Sequence, residues 1–139
     1  MAEGSFATAV VCIDGRVQRP VFEWVRAFAK VDYVDMVTIP GPDIALRTAP
    51  AWVVDVVRHG IEISLTEHGS REIAIAGHHA CAAHRVSDEQ HIADIQATAR
   101  QVAATWSLPA RIVGLWVNDR WQVELVWDSA SGGSTSRNA

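Results

Sequence analysis

Short β-branched runs alternate with amphipathic stretches along this chain, and that alternation restricts the fold more than any other feature. FATAVVCI, residues 6–13, is apolar and short, as expected of a strand covered on both faces. After an Asp-Gly-Arg turn, Pro20 sits where a first helical residue could stand, and Val21, Val25, Phe28 and Ala29 recur at helical spacing. YVDMVTIP, residues 33–40, reads as a second strand, closed by Pro-Gly-Pro at 40–42 as a turn or loop. A longer helix is expected from near Pro50, with Val53, Val56, Val57, Ile61, Ser64 and Leu65 on one face and Gly69 as its stop.

REIAIAG, residues 71–77, is a third strand running into HHACAAH. Ser87 and Gln90 make a capping-box pattern, after which Ile92, Ile95, Ala99, Val102 and Trp106 line a helix face. RIVGLWV and WQVELVW are joined only by Asn-Asp-Arg, a link that makes a hairpin, with Trp121, Val123, Leu125 and Trp127 alternating along its second strand. The order βαβαβαβ with a final antiparallel β implies an α/β fold, a three-layer sandwich with a mostly parallel sheet. Its 139 residues suit one domain, over residues 1–128, and the small polar segment 129–139 is expected to be a disordered tail.

The formal net charge of −4, with no basic run, argues against nucleic acid as a partner and leaves a small molecule as the expected one. No segment approaches the roughly 18 uninterrupted apolar residues of a membrane span. The start carries acidic Glu3 where a secretory signal needs positive charge, so a cytoplasmic protein is expected. There Cys12 and Cys81 are free thiols or metal ligands, since structural disulfides are rare in that compartment.

In parallel sheets, ligands bind at the carboxyl ends of strands where the strand order reverses, and Cys12 and His78 both fall at such ends. Cys12, His78 and Cys81 are the residue types and the number that a catalytic zinc site takes, with water in the fourth position. The two-residue gap between His78 and Cys81 lets one turn aim both at one metal. Asp14 projects to the same side as Cys12 if the extended geometry persists, and Arg16 can hold that carboxylate by a bidentate contact. The competing readings are a buried cysteine acting as a small apolar core residue and an Asp14–Arg16 pair that only stabilises a turn. Neither cysteine is followed six positions later by arginine, which removes a cysteine phosphatase, and no Cys-x-x-Cys is present.

CIDGR and GHHAC together resemble the Cys-x-Asp-x-Arg and Gly-His-x-x-Cys motifs of the β-class carbonic anhydrases, over roughly residues 7–127. The resemblance implies a sheet of order 2-1-3-4 plus an antiparallel fifth strand. It also implies Zn²⁺ held by Cys12, His78 and Cys81, and Asp14 and Arg16 as the catalytic dyad orienting a metal-bound hydroxide that hydrates carbon dioxide to bicarbonate. A homodimer is expected on the same ground. Ala82 stands where the family usually has glycine, Cys12 comes too early for the family's N-terminal arm, and the loop TIPGPDIAL matches only loosely. Two thiolates would offset the metal's charge, so activity is expected to rise into the alkaline range. His84 and His79 are candidate proton shuttles by proximity, whereas His59, His68 and His91 are taken as surface or packing residues. The alternatives are a hydrolase of carbonyl sulfide or carbon disulfide on the same site, and a non-catalytic zinc protein.

Overall fold

The computed structural model describes residues 3–135. Strands β1 (Phe6–Val11), β2 (Tyr33–Thr38), β3 (Glu72–His78), β4 (Arg111–Val117) and β5 (Val123–Asp128) form one sheet in the order 2-1-3-4-5, extended by a two-residue β6 (Gly133–Ser134). Pairings from β2 through β4 are parallel and those beyond β4 antiparallel. The three central strands β1, β3 and β4 are buried along almost their whole length, as their mostly apolar runs require, whereas edge strand β2 is half-buried.

Helix α1 (Gly15–Ala29) covers one face, packing Val17, Val21 and Val25 against Ala7, Ala9, Ala74, Ala76 and Leu115. The small alanines let the helix approach the sheet closely. Helices α2 (Pro42–Thr48), α3 (Ala51–His68) and α4 (Asp88–Thr105) cover the other face, where Leu46, Val57, Ile61, Ala99 and Val102 meet Val10, Ile73, Ile75 and Ile112. Among the described residues, no helix is long and apolar enough to cross a membrane.

Several local expectations change. Helix α1 begins at Gly15, five residues before Pro20, because Asp14 caps it; Pro20 then lies inside the helix. Pro42 starts the short helix α2, a turn of structure hidden behind the Pro-Gly-Pro sequence. Val56 points outward on α3 and is 65 % exposed. Trp121 precedes β5, and a register shift between Gly114 and Leu115 breaks the alternation beyond Leu125, so Val126 and Trp127 are both buried. Residues 129–135, read from sequence as tail, make a 3-10 turn (Ser129–Ser131) and β6, with Thr135 Oγ1 donating to the Leu125 carbonyl at 2.8 Å. Residues 136–139 of that segment lie outside the described residues.

Candidate metal centre

Strands β1 and β3 run side by side, Ala9 opposite Ala74, while the chain continues outward from β1 to β2 and from β3 to β4. The strand order therefore reverses between them, and the crevice at their carboxyl ends is the binding position such sheets provide. Cys12 follows the last residue of β1 and His78 ends β3. The turn after His78 puts Ala80 in the left-handed region, φ 55°, and brings Cys81 back toward Cys12. A potential ligand atom from each of Cys12, His78 and Cys81 lies within 4.8 Å of the other two, and all three residues are buried.

Gly77, one residue before His78, is set by close approach. A Cβ there would stand 2.8 Å from Asp43 Oδ2 and 2.9 Å from two Ile95 side-chain carbons, so only glycine lets α2 and α4 press on this end of β3.

The chemistry of the cluster fits a divalent cation. His78 Nδ1 donates to the His79 carbonyl at 2.8 Å, which orients the ring and leaves Nε2 buried without a hydrogen-bond partner. The two sulfurs lie 4.0 Å apart and unbridged, within reach of one another. Hydrogen bonding from Cys81 is the largest influence lowering Cys12, to about 3, and the same contact pushes Cys81 up. Burial pulls the His78 imidazole down, but the Cys12 sulfur and the His79 carbonyl outweigh it, so the net direction is up. Thiolate sulfur and imidazole nitrogen are the donor types that zinc takes, and binding it would displace any proton they carry.

Asp14 is not on an extended strand, as alternation suggested, but at the N-cap of α1, where Oδ1 accepts the Arg16 backbone N–H at 2.9 Å. The Arg16 guanidinium donates through Nε to Oδ1 at 3.0 Å and through Nη2 to Oδ2 at 2.7 Å, the bidentate grip expected of the pair. Arg16 is the main cause that holds Asp14 down to about 2. Asp14 Oδ2 stands 4.0 Å from His78 Nε2, at the edge of the cluster.

Other parts were not foreseen. Gln18 Nε2 donates to the Cys12 carbonyl at 2.6 Å, fixing the chain between Cys12 and the Asp14–Arg16 pair. Trp121 places its ring 4.5 Å from Arg16 Cζ and 6.2 Å from the His78 ring. His91, fully buried, donates from Nδ1 to Asp43 Oδ2 at 2.6 Å, and His84 donates from Nε2 to Asp94 Oδ2 at 2.6 Å. Asp43, His84 and His91 form a second compact group, whose bonds tie α2, α4 and the Cys81 loop together, while Asp43 Oδ1 and His91 Nε2 stay buried without a hydrogen-bond partner. His79 is bonded to Asp88 at 2.9 Å. The spacing of these partners in sequence, 48 residues for Asp43 and His91, carries no local signal.

A family model described as "Putative carbonic anhydrase" matches residues 2–127. The chain belongs to this family. The fold is that of β-carbonic anhydrases of known structure. Isoform I from Trichomonas vaginalis aligns over 85 % of this chain and 80 % of its own at 19 % identity, with a TM-score of 0.56. A tetrameric β-carbonic anhydrase from Sordaria macrospora aligns over 97 % and 84 % at 12 % identity and a TM-score of 0.54. The Streptococcus mutans carbonic anhydrase aligns over 86 % and 80 % at 19 % identity and 0.51. A sequence search of curated proteins finds no match. Family membership assigns this chain to the carbonic anhydrase lineage, and the sheet order 2-1-3-4-5 is the one the resemblance implied.

Proposed function

We propose that the chain hydrates carbon dioxide to bicarbonate, using zinc held by Cys12, His78 and Cys81 with Asp14 and Arg16 as the catalytic pair. The observation that carries this reading is the buried, unpartnered His78 Nε2 facing two cysteine sulfurs, with an ionised carboxylate 4.0 Å away. Zinc, when bound, supplies a Lewis acid that makes water a nucleophile near accessible pH. Asp14, held ionised by Arg16, accepts a hydrogen bond from the attacking water and so turns its lone pair toward the carbon of the substrate. Arg16 donates all it has on that edge to Asp14, which keeps the carboxylate an acceptor and fixes its plane. The net change is addition of water to carbon dioxide with release of one proton. His79, 39 % exposed on its Asp88 partner, is the more accessible of the two histidines that could pass that proton to solvent.

We also place the protein in the cytoplasm as a homodimer. Both cysteines are free, and Trp52, Val56 and Ile63 leave an apolar outer face on α3 for a second copy to cover. Light scattering that returns the mass of one chain would remove the dimer.

Metal analysis coupled to stopped-flow hydration tests the main reading. One zinc per chain and rapid turnover are expected, with Asp14→Asn retaining zinc and losing about 100-fold or more in kcat. Asparagine caps a helix about as well as aspartate, so α1 should survive that change. Zinc without turnover at any pH makes this a non-catalytic zinc protein. Turnover of carbonyl sulfide or carbon disulfide alone changes the substrate, and absence of zinc removes the ligand assignment.

A further inference from the structure

We infer that Trp121 is a positioning residue: its indole holds the Arg16 guanidinium in the orientation that grips both oxygens of Asp14. Only the kinetic part of this inference rests on the proposed hydration.

The Arg16 side chain is 55 % exposed and leaves the first turn of α1, where nothing in its own helix fixes its long stem. Its hydrogen bonds use one edge of the guanidinium, Nε and Nη2, and both go to Asp14. The face remains, and Trp121 covers it, with Arg16 Cζ 4.5 Å from the ring centroid and within the range of a cation–π contact. A planar guanidinium can satisfy edge and face together, which a lysine ammonium cannot. The same indole reaches the imidazole of His78, at 6.2 Å between ring centroids, so one side chain spans both halves of the divided site.

The hairpin goes to unusual lengths to put it there. Trp121 has φ 59°, a left-handed conformation disfavoured for a bulky residue with a Cβ. Asn118 imposes it. Its Oδ1 accepts from the backbone N–H groups of Arg120 at 2.9 Å and Gln122 at 3.0 Å, and its carbonyl accepts from Trp121 N–H at 2.9 Å. Its Nδ2 donates to Glu124 Oε2 at 3.1 Å. Glycine would adopt this φ without strain, so a tryptophan maintained there by a dedicated turn points to the side chain as the reason.

The test uses the full chain, ¹⁵N-labelled, and reads the Arg16 Nε–Hε resonance. In the wild type it should be shifted upfield by the indole ring current and protected from exchange. Trp121→Gly suits the backbone and should fold, yet move that resonance downfield and broaden it; Trp121→Phe keeps a ring and should keep the resonance near its wild-type position. In zinc-loaded protein, Trp121→Gly should lower kcat for hydration about tenfold, the size of one such contact, with Trp121→Phe restoring most of it. In an Arg16→Ala background Trp121→Gly should cause no further loss, since the effect runs through Arg16. An unmoved Arg16 resonance in Trp121→Gly overturns the inference, as do losses that multiply in the double variant. A wild type without hydration overturns the proposed function instead, and leaves the resonance to decide the role of Trp121.

Discussion

Two glycine-to-alanine substitutions should move stability in opposite directions, for reasons measurable in the structure. At Gly77 an added Cβ would sit 2.8 Å from Asp43 Oδ2 and 2.9 Å from two carbons of Ile95, against about 3.5–4.0 Å for an unstrained contact. Neither neighbour can retreat easily. Asp43 is held by His91 Nδ1 at 2.6 Å and by Thr98 Oγ1 on its carbonyl at 2.6 Å, and Ile95 is fully buried. Overpacking of this kind costs about 1–3 kcal/mol, and displacing Asp43 from His91 takes the value toward the upper end. At Gly60, inside α3, the added Cβ would meet the two methyls of Val37 at 3.5 and 3.6 Å, ordinary van der Waals contacts. There alanine should stabilise the helix by about 0.5–1 kcal/mol. Urea denaturation followed by circular dichroism should show midpoints moving apart with m unchanged, and melting temperatures shifting by roughly 3–5 °C per kcal/mol. Because Gly77 adjoins His78, its variant should also bind zinc more weakly, whereas Gly60→Ala should not. A Gly77→Ala protein as stable as the wild type would refute the close approach, and a Gly60→Ala protein that loses stability would refute the open contact with Val37.

Thr8→Val should cost about 1–3 kcal/mol in urea denaturation, because Thr8 Oγ1 bonds the buried hydroxyls of Ser64 at 2.6 Å and Ser70 at 2.8 Å, and Ser64 is left without another partner. Thr8→Ser keeps the network and should cost only about 0.8 kcal/mol for the lost methyl; equal losses in both variants would deny the hydroxyl any role. Asp14 titrates in the folded protein at about 2, below its ordinary 3.8, so its contribution is complete above 3.8 and disappears as pH falls through 2. Stability curves of the wild type and Asp14→Asn should therefore converge across that window, and a gap independent of pH would contradict the pairing. Added zinc should raise the melting temperature of the wild type and not of Cys12→Ser, with equal rises in both arguing against Cys12 as a ligand.

The grouping of the candidate residues was legible where chemistry coincides with a strand end. Cys12 and His78 follow mostly apolar runs, and the position where such runs stop marks the rim of a parallel sheet. Pro20 misled because its fixed φ suits a first helical turn, whereas Asp14 offered the stronger cap and began α1 earlier. The bulge in the β4–β5 pairing was invisible because an extra residue leaves the composition of the strand unchanged while reversing the direction of every side chain after it. Trp121 was hidden for a related reason. It alternates correctly with Val123 and Leu125, so periodicity assigns it to the strand, and only the hydrogen bonds of Asn118 turn it onto Arg16. Likewise, the Asp43–His91 contact joins helices far apart in sequence, where local pattern carries no information.

The placement of Asp14 at a helix cap has a consequence for how the site is held. Its carboxylate meets one backbone N–H and both donors of a guanidinium edge, and it lies at the positive end of the α1 dipole. Movement of Oδ2 across the 4.0 Å toward His78 Nε2 would give up the bidentate grip and pull Oδ1 from the cap. Loss of the cap alone is worth about 1 kcal/mol, and the loss of charge-assisted bonds adds to it. Negative charge on the two sulfurs would also repel the arriving carboxylate unless a cation lay between them. The fold therefore biases Asp14 toward Arg16 through the same contacts that start α1, and any change that loosens the cap should loosen the dyad with it. Shortening Asp14 by one step, as in Asp14→Ser, separates the two roles: serine preserves the cap and removes the grip. That variant should keep near wild-type stability above pH 4, to within about 1 kcal/mol, while losing the oriented hydrogen bond and with it most of the turnover. A serine variant with intact turnover would mean that Asp14 serves this protein as a helix cap and nothing more.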